Sequence, residues 1–471
     1  MSINFLIISL FAFLVTLGLV VIVHELGHFL FCKLFGIYVK TFSIGIGPKF
    51  LRKRWGETEY VLSAIPFGGY VKMAGEGIME EIQDTGTWEE RKYPLGTEEG
   101  NAEAAGINDH IPPDRFLISR PAWQRLFVFI AGPLFNLVLA FVLYTGVVLS
   151  TGLVNYPFTT VGDVQVDSPA AAAGIQVGDK ILKVGGLPMG NWGDIIDGLT
   201  PVELQETGPS SLVSLEVLRE GRTMALELQP MFDEESGYWS TGLESWNTTV
   251  GRVKRNGPAA KLGLRKGDVI ESVNGETVTS FSKIAGIIND RPGQEIEIIW
   301  VRDGEWMNGI VVPELKEIRP GVKKGRIFYE PYFIYEKVGL GSAIVFGYKG
   351  TLNTISQTVR GLRDLILGKH GLEAVGGPLR IGQVAGEMLS WSFAHLMSFI
   401  AFFSINLFLL NLMPIPVLDG GHVLFLLLEV IRGGKPVPER LQAIATQIGL
   451  IILLLFMTFV VVLDFWTVTG H

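Results

Sequence analysis

Apolar residues along this chain follow two different rhythms. Four stretches run almost unbroken: residues 3–35, 126–154, 395–417 and 444–465. Each exceeds the ~20 residues that a helix rising 1.5 Å per residue needs to cross a bilayer's ~30 Å hydrocarbon layer. Between the second and the third, short alternating segments are punctuated by glycine and proline, which predicts strands and turns. The pattern therefore predicts a membrane protein of four transmembrane α-helices carrying an α+β region between the second and third. The first stretch reads as a span and not a removable leader, because MSIN offers no basic residue and no small-residue cleavage site comes before the histidines.

Charge sets the expected orientation. Lys33, Lys40, Lys49, Arg52, Lys53 and Arg54 follow the first span, and Arg115, Arg120 and Arg125 precede the second. Between Arg125 and Lys180 there is neither lysine nor arginine, while Arg432, Lys435 and Arg440 sit in the connection between the last two spans. Basic residues stay on the cytoplasmic side, so both termini and the long central region are expected outside. The whole chain carries a formal charge of -8. That gives no basic surface for nucleic acid, so none is expected as a partner. Cys32, the one cysteine, is expected to be a buried small side chain.

The central region contains a repeat. Residues 161–186, VGDVQVDSPAAAAGIQVGDKILKVGG, align without a gap on 250–275, VGRVKRNGPAAKLGLRKGDVIESVNG, with 12 of 26 positions identical. Strand, proline-initiated helical turn, Gly-Asp turn and second strand follow in order. The pattern resembles the PDZ fold of bacterial envelope proteases. Such modules take peptide C-termini by strand addition, and that groove is expected near Val161, Gly162, Val250 and Gly251; two structural modules without a ligand are the other reading.

The domains expected are a first span (1–35), a cytoplasmic loop (36–120) with a strand-rich region (36–76) and an acidic, glycine-rich insertion (77–114), and a second span (121–154). PDZ modules (158–232 and 246–318), an amphipathic helix (336–368), a third span (376–424) and a fourth (441–465) follow. The amphipathic helix could lie on the membrane surface or pack against the modules.

Charged residues inside a span are costly, at about 2.5–3.5 kcal/mol each on insertion scales. The first span nevertheless ends in HELGH. On a helix His24 and His28, four apart, share one face and can grip one metal ion, while Glu25 is rotated away and suited to take a proton from water. Zinc fits such a set, with three protein ligands and one open position. The third ligand is sought in NLFLLNLMPIPVLDGGH (406–422), where Pro414 and Pro416 break the third span. Counted from the outer ends of their spans, His24 and Asp419 reach similar depth in the cytoplasmic half, which makes Asp419 the expected ligand and His422 its rival. Asn411 could steady an oxyanion or simply bond between helices.

HELGH, AGPLFN at 131–136, NLMPIPVLDGG and the PDZ pair between the second and third spans together resemble the site-2 protease family of intramembrane zinc metalloproteases, in its sigma-E-regulating, Gram-negative form. The resemblance covers essentially the whole chain; only the 77–114 insertion is longer than its pattern. It implies an inner-membrane enzyme with one Zn2+ at His24, His28 and Asp419, Glu25 as general base and Asn411 near the substrate. Gly68, Gly69, Tyr70 and Val71 would then belong to a membrane-associated β-region that pairs with extended substrate. Expected partners are the lipid bilayer, single-span membrane proteins such as a trimmed anti-sigma factor or leftover signal peptides, and peptide C-termini at the PDZ modules. A PDZ-bearing scaffold with a structural metal is the alternative; a metal transporter would need more polar groups along its spans.

Overall fold

The computed structural model describes residues 3–75, 112–199, 212–233, 238–319, 322–327, 329–368 and 376–469. Most of the acidic insertion lies outside them. The chain separates into two compact units, one formed by Met1–Ser150 with Val338–His471 and the other by Thr151–Lys337.

In the first unit, four helices among the described residues are long and apolar enough to cross a membrane: Phe5–Leu34, Ala122–Thr151, Phe393–Asn411 and Arg440–Asp464. They belong to α1 (Ile3–Leu34), α2 (Ala122–Thr151), α5 (Phe393–Asn411) and α7 (Glu439–Thr469). Small residues let these rods approach, the usual device where lipid gives no hydrophobic drive for helix association. A methyl group at Gly27 of α1 would run into the Ala131 carbonyl of α2.

The segment expected as the third span, already broken at its prolines, runs as three helices. α4 (Pro378–Trp391) lies against α1, where a methyl on Gly382 would touch Phe13. At Ser392 the chain turns extended, with φ -170° and ψ 165°, outside the helical region, and the Ser392 hydroxyl accepts the His395 N–H to cap α5. The second break falls after Asn411, at the prolines, and helix resumes with α6 (Asp419–Ile431). The amphipathic segment forms α3 (Leu340–Ile366). Its inner stripe rests on α2 and α5: Gly347 lies against Thr145, Tyr144 and Thr354 share a 3.0 Å hydroxyl contact, and Ile355 packs with Ala140, Ala401 and Ile405.

β1 (Val39–Trp55) and β2 (Thr58–Met73) form an irregular antiparallel hairpin. The first half of β1 is flanked by both halves of β2, since Ser43 faces Val61 on one side and Tyr70 on the other. Ile37, Val39, Phe42, Val71 and Met73 bury themselves with Cys32 of α1 and Val128 of α2. That core fixes the hairpin to the end of the histidine helix.

The second unit contains two copies of one arrangement. Each has a four-stranded antiparallel sheet, in the order 187–188, 180–184, 213–219, 222–228 and 276–277, 269–273, 296–302, 305–311. Each wraps its own apolar core, around Ile181, Leu215 and Val217 or Ile270, Ile298 and Trp300. Val161, Gly162, Val250 and Gly251, where a peptide groove is expected, lie in strands that already have partners. Those residues are interior: Val161 donates to Asp179 O and accepts from Gly178 N, while its strand pairs with Leu243–Ser245 on the other side. Val250 repeats this with Asp268, Gly267 and Tyr329–Pro331. Among the described residues Leu243–Ser245 and Tyr329–Pro331 each pair with that strand alone.

Candidate metal centre

α1 presents His24 and His28 one turn apart, both buried, with Nε2 atoms 3.2 Å from each other. Asp419, the first residue of α6, completes a triangle: Oδ2 is 3.2 Å from His24 Nε2 and Oδ1 is 3.4 Å from His28 Nε2. A tetrahedral zinc with bonds of about 2.0–2.1 Å separates its donors by roughly 3.3 Å. These three separations lie near that figure, the two carboxylate contacts being made through different oxygens. His28 Nδ1 is 2.8 Å from the Val128 carbonyl and so donates its proton there, which leaves the Nε2 lone pair facing the centre. Electron-rich atoms gathered this closely in an apolar unit call for a cation between them.

Local sequence explains the convergence. A methyl at Gly132 of α2 would occupy the place of the His28 imidazole, so the AGP step of AGPLFN lets α2 pass directly behind that ligand. Methyls at Gly420 and Gly421 would strike the carbonyls of Leu412, Met413 and Ile415. The proline-broken segment 412–418 therefore folds tightly over the start of α6 and delivers Asp419 to the histidines. Arg125 of α2 and Glu429 of α6 form a forked ion pair, one arm of which measures 3.1 Å, tying the Asp419 helix to α2 a second time.

The remaining expected residues fall into place around this triangle. Glu25 lies against β2: a methyl at Gly69 would come within 2.9 Å of its Cγ and 2.8 Å of the Ser43 carbonyl. Gly68 holds φ +107°, a conformation that favours glycine. Tyr70 and Val71 continue the same half of β2, which pairs with β1 along one side only among the described residues. Asn411, the last residue of α5, has Nδ2 3.5 Å from His24 Nδ1. His422 is stacked on Phe129, rings 5.1 Å apart and 17° from parallel, and does not join the triangle. Asn136 is the residue that sequence reading passed over as a functional group. It is fully buried, with Nδ2 3.3 Å from His24 Nδ1. Its signal was present, since an amide inside an apolar span is a functional candidate by default.

The family model for peptidase family M50 matches residues 12–456. The chain belongs to peptidase family M50, the site-2 proteases. Among M50 relatives, a protein of Neisseria meningitidis named as a zinc metalloprotease is 31% identical, covering 95% of this chain and 97% of its own length. The regulator of sigma E protease of Salmonella typhi is 30% identical and the regulator of sigma-E protease RseP of Escherichia coli K12 is 31% identical, each over 97% of this chain and 98% of its own. Among solved structures, a PDZ domain of an SdrC-like protein of Listeria monocytogenes matches at 22% identity and a TM-score of 0.16, covering 18% of this chain and 87% of its own. The chain is thus a membrane-embedded M50 zinc metalloprotease, and His24, His28 and Asp419 are a donor set that fits its metal.

Proposed function

We propose that this M50 protease cleaves peptide bonds within or beside the bilayer in single-span membrane proteins, with His24, His28 and Asp419 as zinc ligands and Glu25 as general base. The carrying observation is the triangle of donor atoms at tetrahedral spacing inside the membrane-spanning unit, with a strand edge running past Glu25. Bound zinc supplies Lewis acidity toward the scissile carbonyl and makes water acidic enough to ionise near neutral pH. Glu25 takes the water proton and delivers it to the leaving amine. Asn411 offers its amide N–H to the carbonyl oxygen as charge develops there. Gly68, Gly69, Tyr70 and Val71 hold the substrate extended by strand addition, which is needed because a bond inside a helix is shielded by its own backbone.

The substrates we assign are a membrane anti-sigma factor first trimmed outside and leftover signal peptides, and the location is the bacterial inner membrane with HExxH toward the cytoplasm. The two repeated modules act outside as PDZ domains, admitting trimmed substrates by size or by their exposed tails. The regulators of sigma-E protease among the relatives support this reading. Glu25→Gln tests it: cleavage of a labelled transmembrane peptide by protein in detergent should fall at least about 10²-fold, the lower bound for losing a general base, while bound zinc stays stoichiometric. Undiminished cleavage removes Glu25 from the role. A wild type that binds zinc yet cuts no transmembrane peptide leaves the scaffold reading standing.

A further inference from the structure

The two histidines of the centre are supported unequally. His28 has its Nδ1 proton accepted by the Val128 carbonyl at 2.8 Å, so its Nε2 is committed to the metal side. His24 also turns Nε2 toward Asp419 and His28, and its Nδ1, on a buried side chain, must then carry a proton and find an acceptor. Two side chains reach that nitrogen, Asn136 at 3.3 Å and Asn411 at 3.5 Å, each through Nδ2. Two N–H groups facing an N–H make no hydrogen bond. At the same time Asn136 Oδ1 is buried with no hydrogen-bond partner, on a residue of zero exposure. A half-turn of the Asn136 amide about its Cβ–Cγ bond exchanges the two atoms and resolves both faults.

We infer that Asn136 is a positioning residue for the metal: its carbonyl oxygen accepts the Nδ1 proton of His24, fixing that ligand's tautomer and ring orientation, and so leaves the Asn411 amide free for substrate. The anchor is itself held, because the Asn136 backbone carbonyl accepts the Ser404 hydroxyl of α5 at 2.8 Å. Asn136 also sits one helical turn beyond Gly132, whose missing side chain makes room for His28. One face of α2 thereby serves both histidines: the Val128 carbonyl and the space at Gly132 for His28, the Asn136 amide for His24. This rests on the zinc-protease reading given above and divides its two asparagines between two tasks.

The test is zinc affinity, measured by competition with a chromophoric chelator on full-length protein in detergent. Asn136→Leu, close in size but without an acceptor, should weaken zinc about 10–100-fold, the usual effect of removing the group behind a metal-bound histidine. Asn136→Asp keeps an acceptor oxygen in place and should retain affinity near that of wild type. Asn411→Ala should leave zinc affinity unchanged while lowering kcat on a transmembrane peptide. Wild-type affinity in Asn136→Leu overturns the proposal. So does an Asn136→Asp protein that folds yet loses zinc as badly as Asn136→Leu, because packing alone would then explain the residue. An Asn411→Ala protein that loses zinc overturns the division of roles. A wild type that takes up no zinc defeats the protease reading itself, and that result is distinct from any pattern among the variants.

Discussion

In the Thr151–Lys337 unit, the two repeated modules solve one folding problem twice, each with its own residues. Asp179 is gripped by Arg219, 40 positions away, through Nε and Nη2 at 2.7 Å each, and Asp268 is gripped by Arg302 in the same manner at 2.7 Å. In the membrane unit the metal centre draws on α1, α2 and α6, and its contacts join residues as far apart as His24 and Asp419, 395 positions. A module that closes on itself tolerates loss of one clamp as a matter of stability. A site assembled from three distant helices has no such margin, since any shift of one helix moves a ligand. Substitutions in the two regions should separate these behaviours.

The largest effect is expected at Gly132. Its added methyl in Gly132→Ala meets an imidazole that cannot swing aside, because Val128 holds one ring nitrogen and the metal site holds the other. Displacing a ligand by even ~1 Å costs about 10²-fold in rate. Gly132→Ala should lose at least that much cleavage and bind zinc substoichiometrically, with unchanged protease resistance of the Thr151–Lys337 unit. Normal zinc content would mean that α2 can retreat, and the centre would then be more compliant than the comparison holds.

Asp179→Ala should do the reverse. Asp179 also accepts the Gln176 N–H at 2.9 Å, and hydrogen bonds to a charged group contribute about 1.5–3 kcal/mol. Burial works against ionisation of this carboxyl, but Arg219 and the Gln176 N–H outweigh it and hold its pKa below the ordinary value. A depressed folded-state pKa gives stability that is present above the unfolded value, ~3.9, and is lost as pH falls through the folded one. The Thr151–Lys337 unit of Asp179→Ala should therefore open to protease at lower denaturant than wild type at neutral pH, the two converging as pH falls below about 4. Cleavage of a short transmembrane peptide should be unaffected. A matched loss of zinc would show that the modules support the centre directly.

Much of this contrast was legible in the sequence, for reasons that follow from it. The repeat announced itself because each module satisfies its own backbone and core within about ninety residues. HELGH was legible because ionisable groups in an apolar run have no structural excuse, and Pro414 and Pro416 marked the break that delivers Asp419. The partners of Val161 and Val250 were not legible, because these residues begin the aligned repeat and the strands that flank them, Leu243–Ser245 and Tyr329–Pro331, fall beyond the aligned stretch. The break at Ser392 gave no proline or glycine signal; a serine hydroxyl cap does the work there. Asn136 carried a signal, but its partner lies 112 positions away on another helix, and no local periodicity links the two.

The smallest effect sharpens the comparison at the boundary between the centre and the hairpin. Glu57, at the turn between β1 and β2, receives Lys33 from the end of α1 at 2.6 Å and Arg115 at 2.7 Å, all three about 30% exposed. Partial burial raises its pKa, but the hydrogen bonds from Lys33 and Arg115 prevail and lower it. Its contribution is accordingly present above the unfolded value of ~4.3 and fades as pH drops through the folded one. Partly exposed pairs are worth only about 0.2–1 kcal/mol and are screened by salt. If the buried core around Val39, Phe42 and Val71 is what seats the hairpin, Glu57→Gln should slow cleavage less than about 5-fold, the factor that ~1 kcal/mol allows. Raising the ionic strength for wild type should remove the same small margin and add nothing in the variant. A loss of 50-fold or more would show that the turn's ion pairs, and not the core beneath them, keep β2 against Glu25.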